Sequence, residues 1–117
     1  MSTTSLWHGL RLPADSTCAK YGITVEDWKR IAKQQGYKCP VCNRTPPNGR
    51  LVVDHQHVPK WGDMGDGARR KFVRGLCCVS CNHFVLTRYG TVDKHRNAAD
   101  YLEAYEIRRD FGKEPWE

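Results

Sequence analysis

Three residues able to do chemistry close the run Leu51-Val52-Val53-Asp54-His55-Gln56-His57, and two thiol pairs, Cys39-x-x-Cys42 and Cys78-x-x-Cys81, flank it. A hard carboxylate oxygen such as that of Asp54 suits Mg2+ or Mn2+. An imidazole titrating near about 6.5 suits taking a proton from water around neutral pH. Side chains alternate along a strand, so Asp54 and Gln56 are expected on one side and His55 and His57 on the other. Gln56 is expected to orient nothing. Taken alone, an Asp-His-x-His run is more often a surface feature or an incidental metal site than a catalytic centre. The three residues by themselves leave metal ligand, catalyst and polar strand end all open.

The cysteines are more specific. Two thiolates three residues apart across a tight turn can both sit about 2.3 Å from one zinc ion in tetrahedral geometry. The 35 residues between Cys42 and Cys78 exceed the roughly 15–20 of a simple zinc ribbon, so a zinc held by Cys39, Cys42, Cys78 and Cys81 would close a loop that contains the Asp-His-x-His run. Four thiolates complete the coordination shell and leave no position for water or substrate, which makes that zinc structural. Cys77 could compete with Cys78 as a ligand, but the tighter spacing favours Cys78. Cys18 has no spaced partner and reads as a buried or free thiol.

The chain has 117 residues, enough for one domain with a modest core, and ten glycines and six prolines point to a small, loop-rich fold that needs a staple. Lys plus Arg exceed Asp plus Glu by 19 to 13, a mild bias towards polyanions such as nucleic acid. There is no signal-peptide pattern and no run of eighteen apolar residues, so an intracellular, cytoplasmic setting is expected. Thiols stay reduced there, which favours metal-bound cysteines over disulfides.

Several elements must position these groups. Residues 1–23 read as an irregular arm with at most a turn of helix. Thr24-Val25-Glu26-Asp27 has the form of a capping box, Val25, Trp28, Ile31 and Ala32 recur at helical spacing, Glu26 sits four residues before Arg30, and Gly36 supplies a stop; a packing helix is expected over residues 25–35. Arg50 to His55 reads as a strand, Val58 to Arg70 as a long mobile hairpin loop, and Lys71 to Leu76 as the return strand. A short helix is expected at residues 82–86. A last amphipathic helix is expected from about Lys94 to Asp110, with Ala98, Tyr101, Leu102 and Tyr105 on one face and Gly112 past its end; it is expected to pack on the Trp28 helix, a dimer face being the alternative. The expected domain spans residues 24–112, with residues 113–117 as a tail.

Taken together, Tyr21-Gly22-Ile23-Thr24, Gly36-x-x-Cys39-x-x-Cys42, Asp54-His55-x-His57, Arg74-Gly75-Leu76-Cys77-Cys78-x-x-Cys81-Asn82 and Ala98-Ala99-x-Tyr101-Leu102-Glu103 make this sequence resemble the recombination endonuclease VII family of phage nucleases, within the HNH or ββα-metal superfamily. The resemblance covers residues 21–103. It implies a small α+β, zinc-stapled ββα-metal fold with an N-terminal helix and a C-terminal amphipathic helix. It assigns Cys39, Cys42, Cys78 and Cys81 to the structural zinc, Asp54 and Asn82 to a catalytic Mg2+ or Mn2+, and His55 to the general base, with His57 a second-tier site residue that could contact phosphate, tune His55 or finish the strand.

The function implied is a metal-dependent DNA endonuclease, phage-encoded and of low sequence specificity, leaving 5′-phosphate and 3′-hydroxyl ends and acting as monomer or homodimer in the host cytoplasm. Arg74 beside the zinc knuckle, with Lys60, Arg69, Arg70 and Lys71 in or near the loop, are the candidate DNA contacts. The rivals are a non-catalytic zinc-stapled nucleic-acid-binding module and a junction-resolving or DNA-packaging accessory nuclease. Two departures from the family pattern stand out. Asn82 is followed by His83-Phe84-Val85-Leu86-Thr87 in place of a turn built around Leu-Gly, and only 35 residues follow Asn82, so the extension that grips branched DNA is expected to be reduced.

Overall fold

The structure is a computed structural model that describes residues 6–85 and 91–117, the side chains of residues 84 and 85 excepted. In chain order it comprises α1 (Asp15–Ala19), α2 (Val25–Gln34), β1 (Leu51–His55), a 3-10 turn (Trp61–Asp63), α3 (Asp66–Arg70), β2 (Val73–Cys78), a π-helical turn (Cys81–Val85) and α4 (Val92–Asp110). The expected small α+β class holds, with one two-stranded sheet among helices.

The capping box forms as its residues dictate. The Thr24 hydroxyl accepts from the Asp27 amide at 3.1 Å and the Asp27 carboxylate accepts from the Thr24 amide at 3.0 Å, which satisfies two of the free donors at the start of α2. Trp28, Ile31 and Ala32 are buried along its inner face. Arg30 pairs with Asp27 at 2.7 Å rather than with Glu26, which reaches Lys29 instead. Gly36, at φ +68°, ends the helix in the left-handed region that costs glycine least.

β1 and β2 pair antiparallel, Leu51 opposite Cys78 and Asp54 opposite Gly75. A two-stranded sheet is too small to stand alone, and its β2 strand is tied to helices. Leu76 turns its N–H and C=O outward from β2, and the Gln35 side chain at the end of α2 bonds both at 2.8 Å, like a one-residue third strand. α4 lies against β2 and the π-helical turn, where the expectation had put it on α2. Tyr101 bonds Asp54 of β1 and Tyr105 bonds Gln56 just past its end, and both rings are buried, so neither is available as a dimer face.

Other departures from the sequence reading have local causes. The segment read as a long loop holds the 3-10 turn and α3, whose glycines at 65 and 67 obscured a short helix with Asp66 in its first turn and Arg69 and Arg70 in its last. β2 begins at Val73 and runs to Cys78, two residues later than expected at each end. α4 begins at Val92 because Thr91 caps it, its hydroxyl accepting from the Lys94 amide at 3.2 Å. The helix expected at residues 82–86 is the π-helical turn, with Leu86 outside the described residues. The arm contains α1, the single turn expected of it, and Leu10 and Cys18 from this region are fully buried in the common core with Trp28, Ile31, Val41, Val73 and Leu76. Burial pushes the Cys18 thiol up to about 11, which suits a packing residue.

Candidate functional site

The two cysteine pairs meet. Cys39 and Cys42 flank the turn after α2, Cys78 ends β2, Cys81 opens the π-helical turn, and their four sulfurs all lie within 4.8 Å of one another. Cys42 Sγ and Cys78 Sγ are 3.9 Å apart, far beyond a disulfide bond of about 2.05 Å. That spacing matches the edge, about 3.8 Å, of a tetrahedron built on zinc–sulfur bonds of about 2.3 Å. The knuckles are pre-shaped by backbone bonds, Asn43 N–H to Cys39 C=O at 2.8 Å and Cys81 N–H to Cys78 Sγ at 3.4 Å. A hydrogen bond from the Cys77 thiol holds Cys39 down to about 4, whereas burial raises Cys78 and Cys81. A divalent cation would hold all four sulfurs as thiolates against that burial, and with sulfurs this close together the donor set fits zinc. Cys77 stands outside the set as a buried donor to Cys39, in line with the tighter spacing of Cys78.

On the hairpin, β1 separates its chemical groups as alternation predicts. Asp54 faces α4 and is buried. Arg74 grips its carboxylate with both edges of the guanidinium fork, Nε to Oδ2 at 2.8 Å and Nη2 to Oδ1 at 3.0 Å, and the Tyr101 hydroxyl donates to Oδ2 at 2.7 Å. Those three bonds leave a carboxylate, with about four lone-pair positions, one free on Oδ1. A single oxygen contact to a hard divalent cation fits that remainder.

Two backbone features make the arrangement possible. The ladder shifts so that His55 pairs with Val73 directly after Asp54 pairs with Gly75, leaving Arg74 as an extra, bulged residue whose side chain is re-aimed onto Asp54. Gly75 supplies the space, since a Cβ there would lie 2.6 Å from Gln35 Oε1 and 2.8 Å from a Tyr101 ring carbon. Burial works against the Arg74 cation, but the hydrogen bonds and charge of Asp54 outweigh it and hold the guanidinium above its ordinary value. Burial, reinforced by nearby negative charge, holds the Tyr101 phenol well above its ordinary value, so it remains a proton donor.

Gln56 also faces α4. Contrary to the expectation that it orients nothing, its Oε1 accepts from the Tyr105 hydroxyl at 2.7 Å and from Arg109 at 3.2 Å, tying the strand end to the last helix.

The opposite face carries the imidazoles. The rings of His55 and His57 are 4.6 Å apart, with Trp61 4.6 Å and Tyr21 5.3 Å from His55. His55 is half-buried and His57 exposed. Burial first, and then the neighbouring His57, lower the His55 pKa, which favours the neutral form able to accept a proton. Trp61 comes from the 3-10 turn that the sequence reading had taken for loop, and the guanidinium of Arg69 lies 5.1 Å from its ring centre.

Asn82 is half-buried in the π-helical turn, directly after Cys81. Of the basic candidates, Lys60 and Lys71 are exposed. Arg69 donates to the Lys20 and Gly62 carbonyls, Arg70 pairs with Glu114 at 2.9 Å, and Arg74 is bound to Asp54. Sequence reasoning missed Tyr101 beside Asp54 and Trp61 beside His55. Tyr101 enters the sequence reading as an apolar-face residue and a motif position without a role at the site, and no local spacing signals a contact with a strand 47 positions away.

Against known proteins, the chain matches recombination endonuclease VII over residues 14–104. The chain belongs to the recombination endonuclease VII family. Proteins similar to it include the Gene 59 protein of Mycobacterium phage D29, 36% identical over 88 residues, and the Gene 59 protein of Mycobacterium phage L5, 38% identical over 88 residues. Each alignment covers 72% of this chain and 46% of the relative, so the chain spans about half the length of the curated relatives it matches. No solved structure matches. Among the described residues no helix is long and apolar enough to cross a membrane.

Proposed function

We propose that the chain is a divalent-metal-dependent DNA endonuclease of the ββα-metal (HNH) type, stapled by a structural zinc on Cys39, Cys42, Cys78 and Cys81. The observation that carries the reading is the division of β1: a buried, hydrogen-bonded carboxylate on one face and a half-buried imidazole of lowered pKa on the next residue. In this reading the Asp54 carboxylate and the Asn82 amide oxygen would hold Mg2+ or Mn2+, which when bound would supply charge stabilisation at the phosphate and the departing 3′ oxygen.

A ring nitrogen of His55 accepts the proton of the attacking water. Arg74 and Tyr101 keep the Asp54 carboxylate in one orientation, and Trp61 and Tyr21 limit the motion of the His55 ring and exclude water from its faces. His57, exposed beside His55, meets the phosphate or the proton leaving His55. Lys60 and Lys71 track the DNA backbone on the open side. The products are 5′-phosphate and 3′-hydroxyl ends, the setting is a phage-infected cell's cytoplasm, and low sequence preference follows from contacts made to phosphate rather than to bases.

One observation favours a second reading. The two-pronged Arg74–Asp54 pair is also what a purely structural salt bridge looks like, and in a non-catalytic nucleic-acid-binding module it would be no more than that. The zinc-loaded protein incubated with supercoiled plasmid separates the two. Conversion to the nicked form with Mg2+ or Mn2+, blocked by EDTA, is the expected result; salt-sensitive binding without a break under any divalent cation would leave the binding module.

A further inference from the structure

We propose that Arg74 and Arg108 form a clamp for DNA phosphates on the Asp54 side of β1, and that this clamp makes the divalent cation and DNA bind synergistically. The proposal rests on the nuclease reading above and adds a site that it does not contain.

Among the described residues Arg108 is a cation without a counter-ion. It sits half-buried in the last turn of α4, and among the described residues it makes no ion pair. Its Nε is buried with no hydrogen-bond partner among the described residues, and its Nη2 donates to the backbone carbonyl of Arg74 at 3.0 Å. An arginine serving only the helix dipole would remain solvated or bond the carbonyls of its own last turn. This one is drawn across to the hairpin, and burial lowers its pKa. Desolvating a guanidinium without an anion is unfavourable, and a phosphate oxygen is the complement that its geometry best fits.

Arg74 adjoins it through that same carbonyl. Its guanidinium has five N–H donors, of which Asp54 uses two, and its side chain is 20% exposed. Arg74 is thus able to hold the carboxylate and a phosphate together. The sequence pointed to Arg74 as a phosphate contact, and its grip on Asp54 leaves that role open on the remaining donors.

Charge then dictates the order of assembly. Asp54 and Arg74 cancel each other. A divalent cation arriving at Asp54 would leave two positive charges there uncompensated, with a third on Arg108 nearby. A phosphodiester removes that conflict, so each ligand should tighten the other by the same factor.

The test measures Mn2+ affinity by titration calorimetry on the zinc-loaded His55→Ala chain, with and without a short DNA duplex, the same samples then being run on a gel. DNA is expected to tighten Mn2+ at least tenfold, and Arg108→Gln in that background to reduce the gain below threefold at unchanged zinc content. Equal Mn2+ affinity with and without DNA overturns the clamp, as does full coupling in the Arg108→Gln chain. The comparison with and without DNA changes neither arginine and stands even if Arg108→Gln does not fold. Cleaved DNA on the gel would instead sink His55 as the base while leaving the coupling result to be read by itself, and absence of Mn2+ binding in both samples overturns the clamp together with the catalytic cation.

Discussion

The two faces of β1 are built to different specifications. Toward α4, Asp54 and Gln56 are fastened by Arg74, Tyr101, Tyr105 and Arg109, in contacts that draw on residues up to 53 positions away. On the other side, His55 and His57 meet only rings, Tyr21 and Trp61, with no hydrogen bond to either imidazole among the described residues. A carboxylate that must present one oxygen in one direction needs its remaining lone pairs satisfied. An imidazole that must gain and lose a proton needs a pocket that shapes it without bonding it fast. If Asp54 and His55 take the roles proposed for them, one alternating strand serves both, because its period of two sends adjacent residues to opposite environments.

The largest expected effect erases the comparison altogether. The cysteine cluster joins the turn after α2 to the end of β2, so both faces depend on it. Stripping the metal with a strong chelator should remove most of the stability of such a small domain, about 5–15 kcal/mol, seen as loss of the cooperative thermal transition by circular dichroism. A transition unchanged by chelation would remove the staple from the account.

Asp54→Ala should come next. It leaves the Arg74 guanidinium half-buried without its partner, a change that costs about 3–5 kcal/mol in buried pairs, measurable by urea unfolding. Gly75→Ala should cost about 1–3 kcal/mol by forcing Tyr101 and Gln35 aside. His55→Ala sharpens the contrast from the other side: with a half-buried ring and no hydrogen bond to lose among the described residues, its unfolding free energy should stay within about 1 kcal/mol of the parent. Equal losses for Asp54→Ala and His55→Ala would mean that the two faces are not built differently.

What could be read from the chain follows the range of the interactions. The zinc donors, the Thr24 capping box and the alternation of β1 are encoded within a few residues, and they were legible. The grip of Arg74 on Asp54 depends on a one-residue bulge, and that of Tyr101 depends on the gap left by Gly75 together with the angle at which α4 crosses the hairpin. None of these has a local signature. Trp61 and α3 were hidden by the glycines around them, whose flexibility reads as loop although an acid-first, base-last charge pattern was present at Asp66, Arg69 and Arg70. Gln56 shows the same limit in small form, since a neutral amide acquires a role only from what packs over it.

The central claim is that one strand divides cation holding from proton transfer between neighbouring residues. Nicking of supercoiled plasmid by the parent and His55→Ala proteins, each zinc-loaded and supplied with Mn2+, tests it most directly. The substitution is expected to slow nicking by about 10²–10⁴-fold while Mn2+ affinity in the presence of DNA stays within about twofold. A His55→Ala protein that nicks at the parent rate would contradict it.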